Sequence, residues 1–480
     1  MMIRKLVMMA VVGVAVGGCA VGPDYQRPEV TVGENYKQLQ DDPRNEGWVL
    51  VDDLEQRLPR DWWALFDDTV LDAMMQQLEA QNFDLQRAEA LYRQAQATLQ
   101  GSRAGFFPTL GAETSTTRSG TGGPGAPQTQ YNLSGNLSWE LDLWGRVRRS
   151  VEADEAGLQA SKADLAGTQL SLQVSLAQTY FQLLVKDTEL ALMDKTIQAY
   201  ERGLSTTRNQ VAAGVAAPAD IAAATMQLDN AKTQRQGLVW QRGQLEHALA
   251  VLQGVAPADF SLPSDAEVPE ALPTIPISLP ATLLQQRPDV VAAEQQTREA
   301  NAQIGVAQSA WFPDLTLSAQ GGWRSGQWAQ WLTAPSQFWS LGPALALTLF
   351  DGGARRANIS RAQAAHEAQA ANYKQTVLTA LQEVEDVLLR LTSMEQELQT
   401  QESALAAANE SLRLTRNQYE AGMIDYLSVM QLETSALNAQ RSLINLKGEK
   451  VGATIDLIAA LGGGWSGIHT PDASDAMRAQ

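Results

Sequence analysis

The two halves of this 480-residue chain repeat each other at an offset of about 208 residues. Phe106-Phe107-Pro108 is matched 205 residues later by Trp311-Phe312-Pro313. Thr207-Arg208-Asn209-Gln210 recurs letter for letter as Thr415-Arg416-Asn417-Gln418. Between those anchors, Glu140-Leu141-Asp142-Leu143-Trp144-Gly145 is echoed by Thr348-Leu349-Phe350-Asp351-Gly352-Gly353. Solenoid modules repeat every roughly 20–50 residues, so this much longer period reads as a duplicated half-molecule. Each half holds a short pair of strands followed by a very long helix.

Residues 1–18 read as a secretory signal, with Arg4 and Lys5 ahead of an apolar run, Leu6 to Val16, that is too short to remain as a spanning helix. Val16-Gly17-Gly18-Cys19 then places small residues before the one cysteine of the chain. This is the pattern of a bacterial lipoprotein signal, in which Cys19 is lipidated and becomes the mature N-terminus; the alternative is an ordinary signal peptide with an incidental cysteine. Ala20, where an aspartate would retain the protein at the inner membrane, favours the outer one. A lone cysteine excludes an intramolecular disulfide and a thiolate metal cluster. Without Arg4 and Lys5 the chain has 34 basic against 54 acidic residues, a net charge of −20. Nucleic-acid binding needs clustered basic charge, so that class is excluded. No later apolar run reaches 18 residues, so any membrane-spanning part must be a closed β-barrel.

From Val147 to Val211 and from Ala354 to Tyr419 the chain is rich in Ala, Gln, Leu, Glu and Arg and contains no proline. Strict heptads run through both: Leu176, Leu183, Leu190, Ile197, Leu204 and Val211, then Val377, Val384, Leu391, Leu398, Leu405, Leu412 and Tyr419. Sevenfold spacing predicts coiled-coil-like packing. Each segment of about 65 residues would reach roughly 95–100 Å if unbroken, too long for the core of a compact domain. Glycine turns at Ala213-Gly214 and Ala421-Gly422 end them, and second helices are expected from about Asp220 to Leu252 and Tyr426 to Leu461. Each half thus holds a long helical hairpin, either a periplasmic tube or a coiled-coil spacer.

Ahead of each long helix lies period-two alternation. Tyr131, Leu133, Gly135, Leu137, Trp139, Leu141 and Leu143 share one face, while Asn132, Ser134, Asn136, Ser138, Glu140 and Asp142 share the other. In the second half Leu315, Leu317, Ala319, Gly321 and Trp323 alternate with polar residues, and Trp339, Leu341, Leu345, Leu347 and Leu349 continue the pattern. Strands of about ten residues, apolar outward and polar inward, suit a lipid-embedded barrel; a sandwich with one wet face would alternate similarly. The strand-to-long-helix adjacency, present twice, favours the barrel. Phe106, Phe107, Trp139, Trp144, Trp311 and Phe312 are then expected as an aromatic belt at the water–lipid boundary. Four strands cannot close, since the smallest bacterial barrels have eight. A dimer would fill its lumen with side chains; a trimer would supply twelve strands and leave a pore, and is the preferred reading.

The organisation expected is a signal at 1–18, a first repeat at 19–280, a second at 281–461 and a tail at 462–480. The first repeat holds a strand hairpin at about 107–143, a helical hairpin at about 147–253 and a Pro-rich linker. The second holds a strand hairpin at about 313–350 and a helical hairpin at about 354–461. Pro257–Pro280, residues 36–68 and the tail are expected to pack as a collar around the helices. Catalysis finds little support: His247, His366 and His469 are scattered without metal-ligand spacing, and no phosphate loop or nucleophile elbow is present. No metal or cofactor is expected beyond the covalent lipid on Cys19.

The remaining motifs are specific. Val21-Gly22-Pro23-Asp24-Tyr25 with Pro28 follows Cys19, and Trp62-Trp63-Ala64-Leu65-Phe66-Asp67-Asp68 comes next. Leu279-Pro280, Leu283-Leu284, Arg287-Pro288-Asp289-Val290 and Ala293-Glu294 follow, then Phe350-Asp351-Gly352-Gly353 with Arg355-Arg356-Ala357. Across essentially the whole mature chain the sequence resembles the lipoprotein outer-membrane factors of tripartite efflux pumps, the OprM/NodT-like branch of the TolC superfamily. The resemblance implies a mixed α and β membrane protein of TolC-like fold. In it a homotrimer forms a twelve-stranded outer-membrane β-barrel and a twelve-helix periplasmic tunnel. It also implies a periplasmic adaptor and an inner-membrane transporter of the resistance-nodulation-division class, which supplies the energy. The chain itself would be a passive, gated conduit for drugs and toxic small molecules; a type I secretion channel, which usually lacks the lipoprotein cysteine, and a non-conducting scaffold are the alternatives. The family's gate lies where the hairpin tips ring the periplasmic aperture. Carried over, it falls on Asp220, six residues after Gly214, and on Leu427, five after Gly422, with Tyr426 beside it. Nine after Gly422, where many relatives have Asp, stands Gln431, and Asp425 or Glu433 would supply the acidic ring instead. The competing reading of the tip acids is that they stabilise helix starts.

Overall fold

The computed structural model describes residues 20–33, 36–37, 44–45, 48–50, 58–120, 126–264, 268–269, 271–277 and 287–467. The signal segment with Cys19, the stretch carrying Leu279, Pro280, Leu283 and Leu284, and the tail beyond 467 lie outside the described residues. In chain order the elements are β1 (Arg44–Asn45), β2 (Trp48–Leu50), α1 (Thr69–Gln81), α2 (Phe83–Ala104), β3 (Thr109–Ser119), β4 (Gln128–Leu141), α3 (Arg146–Ala212) and α4 (Pro218–Leu252). Then come β5 (Ile275–Ile277), α5 (Pro288–Ser309), β6 (Asp314–Ser325), β7 (Gln337–Ala346), α6 (Ala354–Glu420) and α7 (Tyr426–Ala460). The described residues fall into two units, one within 1–30, 90–163 and 292–376, the other within 31–89, 164–291 and 377–480.

The first unit contains a four-stranded sheet in the order β3-β4-β6-β7, antiparallel throughout. The central β4–β6 pairing joins the two repeats. Directly paired residues share a face, and the register lines up Leu110, Leu137, Ala319 and Leu341 in one row and Leu141, Leu315 and Leu345 in another. The intervening rows bring Gly111, Asn136, Gln320 and Ser340 to the other face. The apolar face is uncovered by the chain: Leu110 is 79% exposed, Trp339 82% and Leu345 67%. The outer edges of β3 and β7 have no strand partner among the described residues. No helix among them is long and apolar enough to cross a membrane.

The second unit is built on residues 164–212 of α3 and 377–420 of α6 with α4 and α7. The heptad positions behave as a packing seam: Leu176, Leu183, Val377, Val384 and Leu391 are buried, as is Leu204 nearer the hairpin turn. Leu176, Leu183, Val384 and Leu391 join a core with Trp62, Met75, Leu78, Tyr180, Phe181 and Ile455. α1 enters this core through its own cap, Asp68 accepting the Val70 and Leu71 N–H groups at 2.8 and 3.0 Å, and Asp68 also accepts the Tyr180 hydroxyl at 2.7 Å. The linker meets the N-terminal region as strand: β2 pairs in parallel with β5, Trp48 opposite Ile275 and Leu50 opposite Ile277. α1, α2 and α5 have no counterpart in the sequence reading, because none carries a heptad run long enough to stand out from its flanks.

Buried charges fix the register of the helices. Glu189 on α3 has a fully buried side chain and accepts from Lys186 at 2.6 Å and from Arg441 of α7 at 3.2 Å. Asp187, also buried, binds Arg242 of α4 at 2.6 Å, and Arg242 donates onward to the Leu262 carbonyl. A buried ion pair gains little net stability because both ions lose water, but losing one partner strands the other. Glu189→Ala is therefore expected to destabilise the helical unit by about 3 kcal/mol, read as a lowered unfolding midpoint of the detergent-extracted protein; Glu410→Ala, on an exposed pair with Arg413, should leave the midpoint unchanged.

Candidate functional site at the helical hairpin tips

Both long helices end with the same chemistry. Gly214 and Gly422 sit at φ +74° and +72°, a left-handed conformation that glycine adopts without strain. Val215 N–H donates to the Gln210 carbonyl and Met423 N–H to that of Gln418, both at 2.9 Å; Gly214 and Gly422 donate to Val211 and Tyr419. This is the paired hydrogen-bond arrangement that closes a helix C-terminus, and the Gln of the repeated Thr-Arg-Asn-Gln supplies one of its two acceptors in each half.

The candidate residues separate into three groups. Asp220 and Asp425 hold helix starts. Asp220 accepts the Ala217 N–H at 3.1 Å, behind Pro218 in the first position of α4. Asp425 is the N-cap of α7 and accepts the Ser428 hydroxyl at 2.6 Å and the Ser428 N–H at 3.1 Å. The Ser428 hydroxyl, then its N–H, hold the Asp425 carboxyl below the usual carboxylate range. Tyr426 and Glu433 face into the unit instead. Tyr426 is buried with Tyr200, Leu204 and Leu228, and burial, then Glu433, push its hydroxyl up to about 12. Glu433, its side chain only 12% exposed, accepts from Arg416 of α6 at 2.6 Å and from Gln227 of α4 at 3.1 Å. Leu427 and Gln431 form the third group: they stand one helical turn apart on α7, both exposed.

Apart from Glu433, named as a tip acid, sequence reading gave no linking role to the residues that join the two hairpins to each other. Besides the Arg416–Glu433–Gln227 chain, the Tyr419 hydroxyl donates to Gln210 Oε1 at 2.9 Å, joining α6 to α3. The Tyr419 and Tyr426 rings lie 5.5 Å apart. A signal existed, since Gln210 and Arg416 both belong to the repeated tetrapeptide.

The aromatic candidates cluster at the strand-to-helix junctions of the other unit. Trp144 stacks on Phe312 with ring centroids 4.8 Å apart and donates its indole N–H to the Pro313 carbonyl at 2.8 Å. Trp139 donates to the Phe106 carbonyl at 3.0 Å, Arg355 covers the Trp311 ring, and Phe107 is exposed. Cys19 itself is outside the described residues, but its neighbour Ala20 lies against Gly145. Val21 N–H donates to the Trp144 carbonyl, and Arg149 binds Asp24 and the Val21 and Gly22 carbonyls.

Replacing Glu433 by Ala is expected to raise amide exchange in the first turns of both α4 and α7 by about tenfold, because it removes hydrogen bonds to a charged group shared by two hairpins. Asp425→Ala should raise exchange at the start of α7 alone. Since the folded-state carboxyl of Asp425 titrates low, its cap persists at neutral pH. It is lost only as pH falls through that lowered value, below an ordinary aspartate at roughly 3.9, so acidification of the wild type should reproduce the Asp425→Ala pattern.

Comparison with known proteins bears on this architecture as a whole. The family model described as outer membrane efflux protein matches twice, over residues 74–255 and 279–463. The chain is 30% identical over 476 residues to the toluene efflux pump outer membrane protein TtgC of Pseudomonas putida, covering 97% of this chain and 96% of that protein. It is 27% identical over 458 residues to the cation efflux system protein CusC of Escherichia coli, covering 95% and 97%. The solved outer-membrane channel OprN superposes with a TM-score of 0.85 at 28% identity, over 93% of this chain and all of that one. With two family matches in tandem on a strand hairpin and a helical hairpin each, the chain belongs to the outer membrane efflux protein family, whose members are channels and not enzymes.

Proposed function

We propose that three copies of this outer-membrane efflux channel close into one conduit, a twelve-stranded barrel in the lipid above a tunnel of helical hairpins, gated at the hairpin tips. The observation that carries the reading is the sheet itself. Its apolar face is bare, which suits lipid and not water, and among the described residues both its edges are open, which lipid does not tolerate unless further strands complete the ring. Two copies would give eight strands and a filled lumen; three give twelve and a pore. The repeat boundaries expected from the sequence, 19–280 and 281–461, are retained as the two halves that each copy contributes.

Cys19 is the proposed lipid anchor. The seating of Ala20, the described residue that follows Cys19 in sequence, against Gly145 beside Trp144 supports this. At the tips, exposed Leu427 is the proposed hydrophobic constriction, with Gln431 one turn deeper. Asp220 and Asp425 contribute charge there while capping their helices, and Tyr426 and Glu433 brace the hairpins from within. A periplasmic adaptor and an inner-membrane transporter of the resistance-nodulation-division class complete the pump and supply its energy. Relatives named for toluene and for cations share this length and fold, which supports a conduit that carries drugs and toxic small molecules chosen upstream.

Planar-bilayer conductance of the detergent-extracted protein, with oligomeric mass measured on the same sample, tests the reading. A trimer with small, flickering conductance that grows in Leu427→Ala is expected, together with greater vancomycin susceptibility of cells carrying that variant. A silent monomer would overturn it. Cys19→Ser should abolish palmitate labelling; undiminished label would remove the anchor assignment.

A further inference from the structure

The polar face of the four-stranded sheet is mostly Ser, Thr, Asn, Gln and Gly, and its few charges are unevenly placed. Among the described strand residues they are Asp314 and Glu140 at the end next to the helices, Glu113 in mid-strand and Arg324 near the loop end of β6. Arg118, the other strand arginine, falls by register on the apolar side. Arg324 is thus the one cation on that face, in a chain with a large acidic excess. Phe338 is likewise the one aromatic residue there among the described strand residues.

The two are together. The Arg324 guanidinium carbon lies 4.5 Å from the centroid of the Phe338 ring, within cation–π range. On the β4 side Nε is 3.5 Å from Asn132 Oδ1, at the limit of a hydrogen bond. No ion pair takes the group among the described residues. The nearest acid of the same face, Glu113, belongs to β3, two strands away and one row of the face nearer the helices. The arginines at the helix end differ: Arg146 binds Glu140, Arg148 binds Asp142 and Arg355 binds Asp351. The Phe338 ring lies against the Arg324 guanidinium and restrains it, while among the described residues its NH₂ groups have no hydrogen-bond partner. An arginine held against an aromatic ring is suited to a carboxylate or sulfonate, and the ring offers an apolar surface to whatever carries that anion.

We propose that Arg324, backed by Phe338, is a contact site for anionic groups on outgoing aromatic compounds at the outer end of the barrel lumen. This rests on the barrel reading, which turns the polar face inward and repeats the pair once per copy. The site offsets an acidic lumen at the point where cargo leaves, so anionic cargo meets a held cation there.

The test uses the full-length protein in planar bilayers, in the Leu427→Ala background so that the tips do not dominate the current, with 1-naphthalenesulfonate added on the loop side. Expected is block by the sulfonate at concentrations where benzyltrimethylammonium has no effect. Arg324→Gln should raise the half-blocking concentration by about tenfold, the loss of a charge-assisted contact. It should also shift the reversal potential in a KCl gradient toward the potassium value, more strongly at 0.1 M than at 1 M salt, where screening shortens to about 3 Å. Arg324→Lys should keep most of the ion preference but lose part of the sulfonate block, since the guanidinium against the ring is gone. Unchanged block and reversal potential in a conducting Arg324→Gln channel would overturn the proposal and reduce the pair to a clasp on the β6–β7 hairpin. A protein that conducts nothing in either background would overturn the barrel reading, and this assignment with it.

Discussion

Backbone amides and carbonyls must be hydrogen-bonded wherever water is absent, and much of the biology of this chain follows from how few strands it has to meet that demand. Four strands satisfy one another through three antiparallel ladders. Among the described residues the outer edges of β3 and β7 remain open, and beside them lies a face carrying the exposed Leu110, Trp339, Leu341 and Leu345. In water such a surface invites aggregation. In lipid the apolar face is at home, and the open edges then demand other strands. In the proposed trimer, oligomerisation and membrane insertion are therefore tied together by the same unpaired backbone groups.

The helical unit solves a different problem. Long helices with heptad seams could slide past one another by whole turns, because leucine packs on leucine in many registers. The buried Glu189–Arg441 and Asp187–Arg242 pairs remove that freedom, since a shift of one turn would bury unpaired charges. Polar contacts at the tips continue the theme: Glu433 answers to both Arg416 and Gln227, and Tyr419 to Gln210. They sit beside a buried cluster that includes Tyr200, Leu204, Leu228 and Tyr426, separate from the core around Tyr180, Phe181 and Leu388.

Duplication explains why the two halves resemble each other in architecture more than in detail. Asp142 and Asp351 each cap the long helix that follows, Asp142 through the Val147 and Arg148 N–H groups and Asp351 through those of Gly353 and Arg355. The two aspartates are out of step by one residue in the repeat, so the function of the position survived while its letter moved. The tip turns kept both. Asp220 and Asp425 diverged in kind, one bonding back to the Ala217 N–H from within α4 and the other standing at the N-cap of α7.

Sequence alone fixed the elements whose signal is periodic and long: the heptads of α3 and α6, the alternation of β4 and β6, the glycine turns and the tandem repeat. Those patterns report which side of an element is apolar, and that is set by each residue and its near neighbours. Where that side turns and what meets it are tertiary facts. Tyr426 and Glu433 look like aperture residues in the sequence, yet the turn geometry carries both inward, and Leu427 between them stays out. α1, α2 and α5 went unread because short amphipathic helices owe their stability to the core they join. The pairing of Arg324 with Phe338 depends on strand register, which no local pattern encodes. The sequence determined the kinds of element and their apolar faces; only the tertiary structure decided which polar side chains those faces bring together, because hydrogen bonds and ion pairs act over a few ångströms between residues hundreds apart in the chain.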